Sequence, residues 1–107
     1  MSILYKNAKV DLTDTNATAV LTPANATTAV IKSILVSEDS GNADTITLTI
    51  TDTDSAVFSL FKVKAVSANT TVELLTQPLV LQDSEILKAT AATANRLHLV
   101  VSYLEIS

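Results

Sequence analysis

From residue 45 to residue 51 threonine alternates with a large aliphatic residue without a break: Thr45, Ile46, Thr47, Leu48, Thr49, Ile50, Thr51. Successive side chains of a strand point to opposite sides, whereas a helix repeats every ~3.6 residues, so this period of two predicts a strand with one face in a core. Ile46, Leu48 and Ile50 take the inner face, where burial of each contributes about 1.5 to 3 kcal/mol. The threonine face is left to solvent, to a ligand or to another copy of protein. With one wet face and one apolar face, such a strand needs a second layer to cover it.

The rest of the chain repeats the theme with different punctuation. It has one Gly and two Pro in 107 residues, so turns fall to Asn, Asp, Ser and Thr, which hydrogen-bond their own backbone. Clusters of these residues, such as DLTDTN (11–16), TPANATT (22–28), SEDSGNAD (37–44) and QDSE (82–85), separate short runs rich in β-branched residues. About eight or nine short strands spaced in this way predict an all-β, antiparallel β-sandwich or jelly-roll-like fold. One domain over 1–107 is expected, with 1–12 as a candidate amino-terminal arm. The best helix candidate is the Ala-rich segment 84–94, although its interspersed threonines suit a strand and loop equally well. Residues 30–36 and 97–106 are apolar on both faces. In the latter, Leu97, Leu99, Val101 and Tyr103 share one face, and Val100, Leu104 and Ile106 share the other with His98 and Ser102. A strand apolar on both faces needs two covers: one is the opposite sheet, and the other is a loop, an arm or a neighbouring subunit.

Composition narrows the function classes. Aromatic residues are 4% with no Trp, the net charge is −4, and Lys6, Lys9, Lys32, Lys62, Lys64, Lys88 and Arg96 are scattered. Neither the basic patch nor the stacking platforms of a nucleic-acid binder are expected. There is no Cys, hence no thiolate site or disulfide framework. The start, MSILYKNAKVDL, lacks the features of a signal peptide, and no run of 18 apolar residues occurs, so a cytoplasm-made protein without a membrane segment is expected. The Asn-x-Ser/Thr triplets at Asn16, Asn25 and Asn69 read as turn chemistry. His98, the one histidine, has no nucleophile or orienting carboxylate beside it in sequence and reads as structural. The acidic clusters around Asp11 and Asp14, around Glu38, Asp39 and Asp44, and at Asp52 and Asp54 have the oxygen chemistry of a calcium site but not an EF-hand spacing, and turn formation is favoured. No catalytic, cofactor or metal residue is therefore expected. A threonine ladder also suggests ice binding, but that needs the array on several adjacent strands, and it occurs on one.

The order of signals carries a resemblance. TTAVIKSILVSEDSGNADTITLTIT, then FSLFKVKAVSANTTVELLTQPLVLQDSEILKATAA, then LHLVVSYLEIS, resembles small structural proteins of tailed bacteriophages, including those of cyanobacteria, over about Val20 to Ser107. The resemblance implies a non-enzymatic virion protein present in many copies. The favoured role is a capsid decoration or cement protein bound to the major capsid protein; a neck, tail or fibre-attachment protein is the alternative, and a carbohydrate- or receptor-binding module is a third reading. The expected contacts are Ile3, Leu4 and Tyr5 of the amino-terminal stretch and Tyr103, Leu104 and Ile106 of the last strand, with Thr47 and Thr49 as a further neutral surface. Lysine at Thr47 or Thr49 is expected to leave folding nearly intact and to block assembly only if that face is an interface.

Overall fold

In the computed structural model, which describes residues 2–107, the β-branched runs become strands and no helix forms among the described residues. The nine strands are β1 (Ile3–Leu12), β2 (Thr18–Leu21), β3 (Thr28–Glu38), β4 (Asp44–Thr51), β5 (Val57–Val66), β6 (Thr71–Glu73), β7 (Leu79–Leu81), β8 (Ile86–Ala91) and β9 (Leu97–Ile106). The Ala-rich segment 84–94 is therefore strand β8 followed by a turn. Its alternation decides the matter: Leu87, Ala89 and Ala91 are buried, and the residues between them face outward. No helix among the described residues is long and apolar enough to cross a membrane.

All pairing is antiparallel, in two sheets. The first has the order β1-β9-β3, with β6 and β7 both on the far edge of β3; the second is β2-β8-β4-β5. That order is the double Greek key of a jelly roll, with its sixth strand broken in two as β6 and β7. The break is local. Residues 74–78 leave the ladder ahead of Leu79, and Pro78 has no N–H to give it. The Glu73 carboxylate fills the gap, accepting the Ile34 N–H at 2.8 Å and a hydrogen bond from the Ser33 hydroxyl, while the Leu74 N–H reaches the Ile34 carbonyl at 2.9 Å.

The core lies between the sheets. β4 contributes Ile46 and Leu48, β3 contributes Ile31, Ile34 and Val36, and β9 contributes Leu97, Leu99, Val101 and Tyr103, all buried. The one-sided reading of β4 holds for its aliphatic face, with Ile50 packed at the margin of the core. The stretch expected as an arm is strand β1, paired with β9 from Ile3↔Ile106 to Leu12↔Leu97 without a register shift; Met1 lies outside the described residues. The two-sided strands β3 and β9 are the centre of the first sheet. Their inner faces meet the second sheet, and among the described residues no other element covers their outer faces.

The molecule measures 44 × 27 × 22 Å, and its two ends differ. One end gathers the loops after β1, β3, β5 and β8. The other gathers the start of β1, the end of β9 and the β2–β3, β4–β5 and β7–β8 connections.

Candidate functional site

The acidic side chains act mostly within the chain. Asp14 accepts the Asn16 N–H, Asp44 the Thr93 N–H, Asp52 the Asp54 and Ala56 N–H groups, Asp83 the Ala26 N–H and Glu85 the Gln82 N–H, at 2.7–3.1 Å. A chain this poor in Gly and Pro makes its turns by presenting carboxylates to loop amides. Ala26, Ser55 and Ser84, all at positive φ, sit in these turns.

Glu38 carries this furthest. As the last residue of β3 it follows Ile34 and Val36 to the inner side, where it is 1% exposed. One oxygen, Oε2, accepts the Ser40 N–H at 3.0 Å and the Ser40 hydroxyl; the other accepts Gly41, Asn42 and Asn69 N–H groups at 3.1–3.2 Å. The positive φ of Gly41 (85°) and Asn69 (55°) turns these amides inward. One carboxylate thus pins the β3–β4 loop to the β5–β6 turn. The Ser40 hydroxyl and the Asn69, Ser40 and Gly41 amides outweigh desolvation and lower its pKa from 4.5 to about 2. No group of three or more His, Asp or Glu side chains among the described residues is placed to hold a metal ion.

His98 does have orienting carboxylates, and they come from distant sequence. Its Nδ1 contacts Asp11 Oδ1, directly opposite in the β1–β9 ladder, and its Nε2 lies 3.1 Å from Asp39 Oδ1 in the β3–β4 loop. Desolvation opposes the imidazolium, but Asp11, by hydrogen bond and charge, and then Asp39 raise the pKa above 6.5. Sequence neighbours could not show this. Aligning the apolar positions of residues 3–12 antiparallel to 97–106 would have placed Asp11 opposite His98. All three groups are open to solvent, Asp11 and His98 on the outer face of the first sheet and Asp39 in the loop at its end.

The expected contact residues divide by parity. Ile3, Tyr5, Leu104 and Ile106 share the outer face of the first sheet, and Tyr5 is 86% exposed. There the ladders line up an apolar file across the whole sheet at the terminal end: Tyr5 on β1, Leu104 on β9, Val30 on β3 and Val80 on β7, with Ile3 and Ile106 beside it. Val30 and Val80 belong to this surface and were not among the expected residues; the two-sided character of 30–36 was the signal for Val30, whereas the three-residue run of β7 offered none for Val80. Leu4 has the opposite parity and is half-exposed at the rim. Tyr103 is a correction. It shares the inner face with Leu97, Leu99 and Val101 and is 9% exposed within the core, so it is no part of an outer contact surface.

No protein-family model and no curated protein matches the chain.

The threonine face of β4 is not uniform. β5 bulges twice against β4, and Val63, a β-branched residue held at φ 53°, donates its N–H to Thr47 Oγ1 at 3.1 Å. Thr47 thus supports a strained bulge, whereas among the described residues no side-chain hydrogen bond engages the outward-facing Thr49, which is paired with Lys88 and Ser59. The expectation that both sites accept lysine equally is revised. Thr47→Val removes one hydrogen bond and should cost about 1 kcal/mol in urea unfolding, while Thr49→Val, with the same change in shape, should be near neutral. Equal effects would deny Thr47 its role.

Proposed function

We propose that the protein is a non-enzymatic structural component of a tailed-phage virion that decorates and stabilises the assembled head, seated through the terminal-end apolar file of its first sheet. The observation that carries this reading is the file itself. Tyr5, Leu104, Val30 and Val80 form one continuous apolar row, outside the core, on the sheet whose two central strands are apolar on both faces. Tyr5 and Val80 are open to solvent and Leu104 and Val30 are half-buried between them; apolar surface left outside a core is the mark of a contact site, and Tyr is among the residues that most often dominate binding. The resemblance of the sequence to small phage structural proteins supports the setting.

The mechanism is linkage. A protein that binds the assembled shell and not its separate subunits shifts the assembly equilibrium toward the shell, and repetition over a symmetric lattice lets modest single contacts suffice.

The protein should co-purify with particles at a stoichiometry matching the capsomers. Tyr5→Asp or Leu104→Asp should weaken particle binding by about 30-fold or more with little change in the melting temperature, because both side chains lie outside the core. A stoichiometry of a single ring would move the protein to the neck or tail, overturning the decoration role. Absence from particles would overturn the virion assignment altogether.

A further inference from the structure

We propose that Asp11, His98 and Asp39 form a proton-operated latch, in which the imidazole on β9 holds both carboxylates when it carries both protons and releases the Asp39 side chain when it carries one. The geometry demands this. Each ring nitrogen faces a carboxylate oxygen, Nδ1 against Asp11 and Nε2 against Asp39 at 3.1 Å. A neutral imidazole has a single N–H and a lone pair on its other nitrogen, so it donates to one aspartate and turns its lone pair on the other. Only the imidazolium satisfies both.

The two contacts are not equally free to break. Asp11 is held opposite His98 by the β1–β9 ladder. Asp39 stands in a loop outside any ladder, and that position separates the two, since their side chains are similarly exposed at 63% and 73%. The neutral ring therefore keeps its proton on Nδ1 for Asp11, and Asp39 swings away. The loop backbone does not follow, because Glu38 pins its amides independently.

The charged groups around the ring are few. β1 brings Asp11, with Lys9 two residues along the same face. β3 brings uncharged Ser37 opposite the ring, while Glu38 is turned inward onto the loop amides. The loop brings Asp39, and Arg96, from the β8–β9 connection, directs its guanidinium to the Ala43 carbonyl at 3.0 Å. Burial disfavours the second proton, but the two carboxylates overcome it and raise the pKa above 6.5. A raised folded-state value contributes stability that is fully present below the ordinary histidine pKa and is lost as pH rises through the raised one. The latch thus opens on the alkaline side of 6.5, leaving Asp39 without its partner while Asp11 keeps the Nδ1 proton.

His98 is the only histidine, so its Cε1–H resonance reports the ring alone. The test titrates that resonance by NMR in the wild type, Asp39→Asn and Asp11→Asn, while χ1 couplings of Asp39 follow its rotamer. Both aspartates are largely exposed, so their variants should fold. The expected result is a midpoint above 6.5 in the wild type that falls in each variant, with Asp39 fixed in one rotamer below the midpoint and averaged above it. A midpoint at or below 6.5, a midpoint unchanged in Asp39→Asn, or Asp39 couplings that stay constant through the titration would overturn the latch.

Discussion

Glu38→Gln is expected to lower the melting temperature and to loosen two loops at once. The carboxylate offers two acceptor oxygens to four backbone N–H groups and a hydroxyl in a site 1% exposed. Glutamine keeps one acceptor and replaces the other with an NH2, which faces either the Ser40 donors or the amides of Gly41, Asn42 and Asn69. Buried donors without an acceptor are costly. Amide exchange at Gly41, Asn42 and Asn69 should accelerate together, although Asn69 belongs to a different turn from the other two. The pH dependence adds a second signature. The folded pKa lies at about 2 against the ordinary 4.5, so the charged form contributes stability that is full above 4.5 and is lost as the pH falls toward 2. The wild type should weaken through that window, and the variant should lose this part of its acid slope. An unchanged melting temperature together with an unchanged slope would remove Glu38 from its place at the centre of the loops.

How far the sequence foretold this differs between core and surface. The inner face of β4 was legible because Ile46 and Leu48 obey a period of two with no competing pattern. The same rule placed Leu97, Leu99, Val101 and Tyr103 on one side of β9, and that side is the core. Carried one step further, it would have turned Glu38 inward, since Ile34, Val36 and Glu38 share parity; a cluster as polar as SEDSGNAD hid this by reading as a solvated loop. The supports of Thr47 and His98 were less accessible. Thr47 is defined by a bulge in β5, and no local feature of VFSLFKVKAV fixes where an extra residue enters the ladder. Asp11 and His98 meet only because the first and last strands are neighbours in a jelly roll. That adjacency is a property of topology rather than of either segment.

Leu48→Ala is the substitution that asks most of the core. Leu48 lies midway along β4, fully buried, with Ala89 of β8 on one side and Phe61 of β5 on the other. Truncating a buried leucine costs about 2 to 5 kcal/mol, depending on how well its surroundings collapse into the void. Collapse is hindered here. Ala89 carries only a methyl group and cannot reach across, and Phe61 is fixed in the short stretch of β5 between its two register shifts. The loss therefore belongs in the upper half of that range, a large share of the ~5 to 15 kcal/mol that stabilises a domain of this kind. Ile50→Ala, two residues along the same face, removes a similar group from a site only partly buried at the end of the strand, and should cost less than half as much. Urea unfolding measures both. The expected result is a large fall in midpoint for Leu48→Ala with an unchanged slope, since the surface exposed on unfolding scarcely changes. A loss at Leu48 no greater than that at Ile50 would mean that the two sheets do not close over the middle of β4.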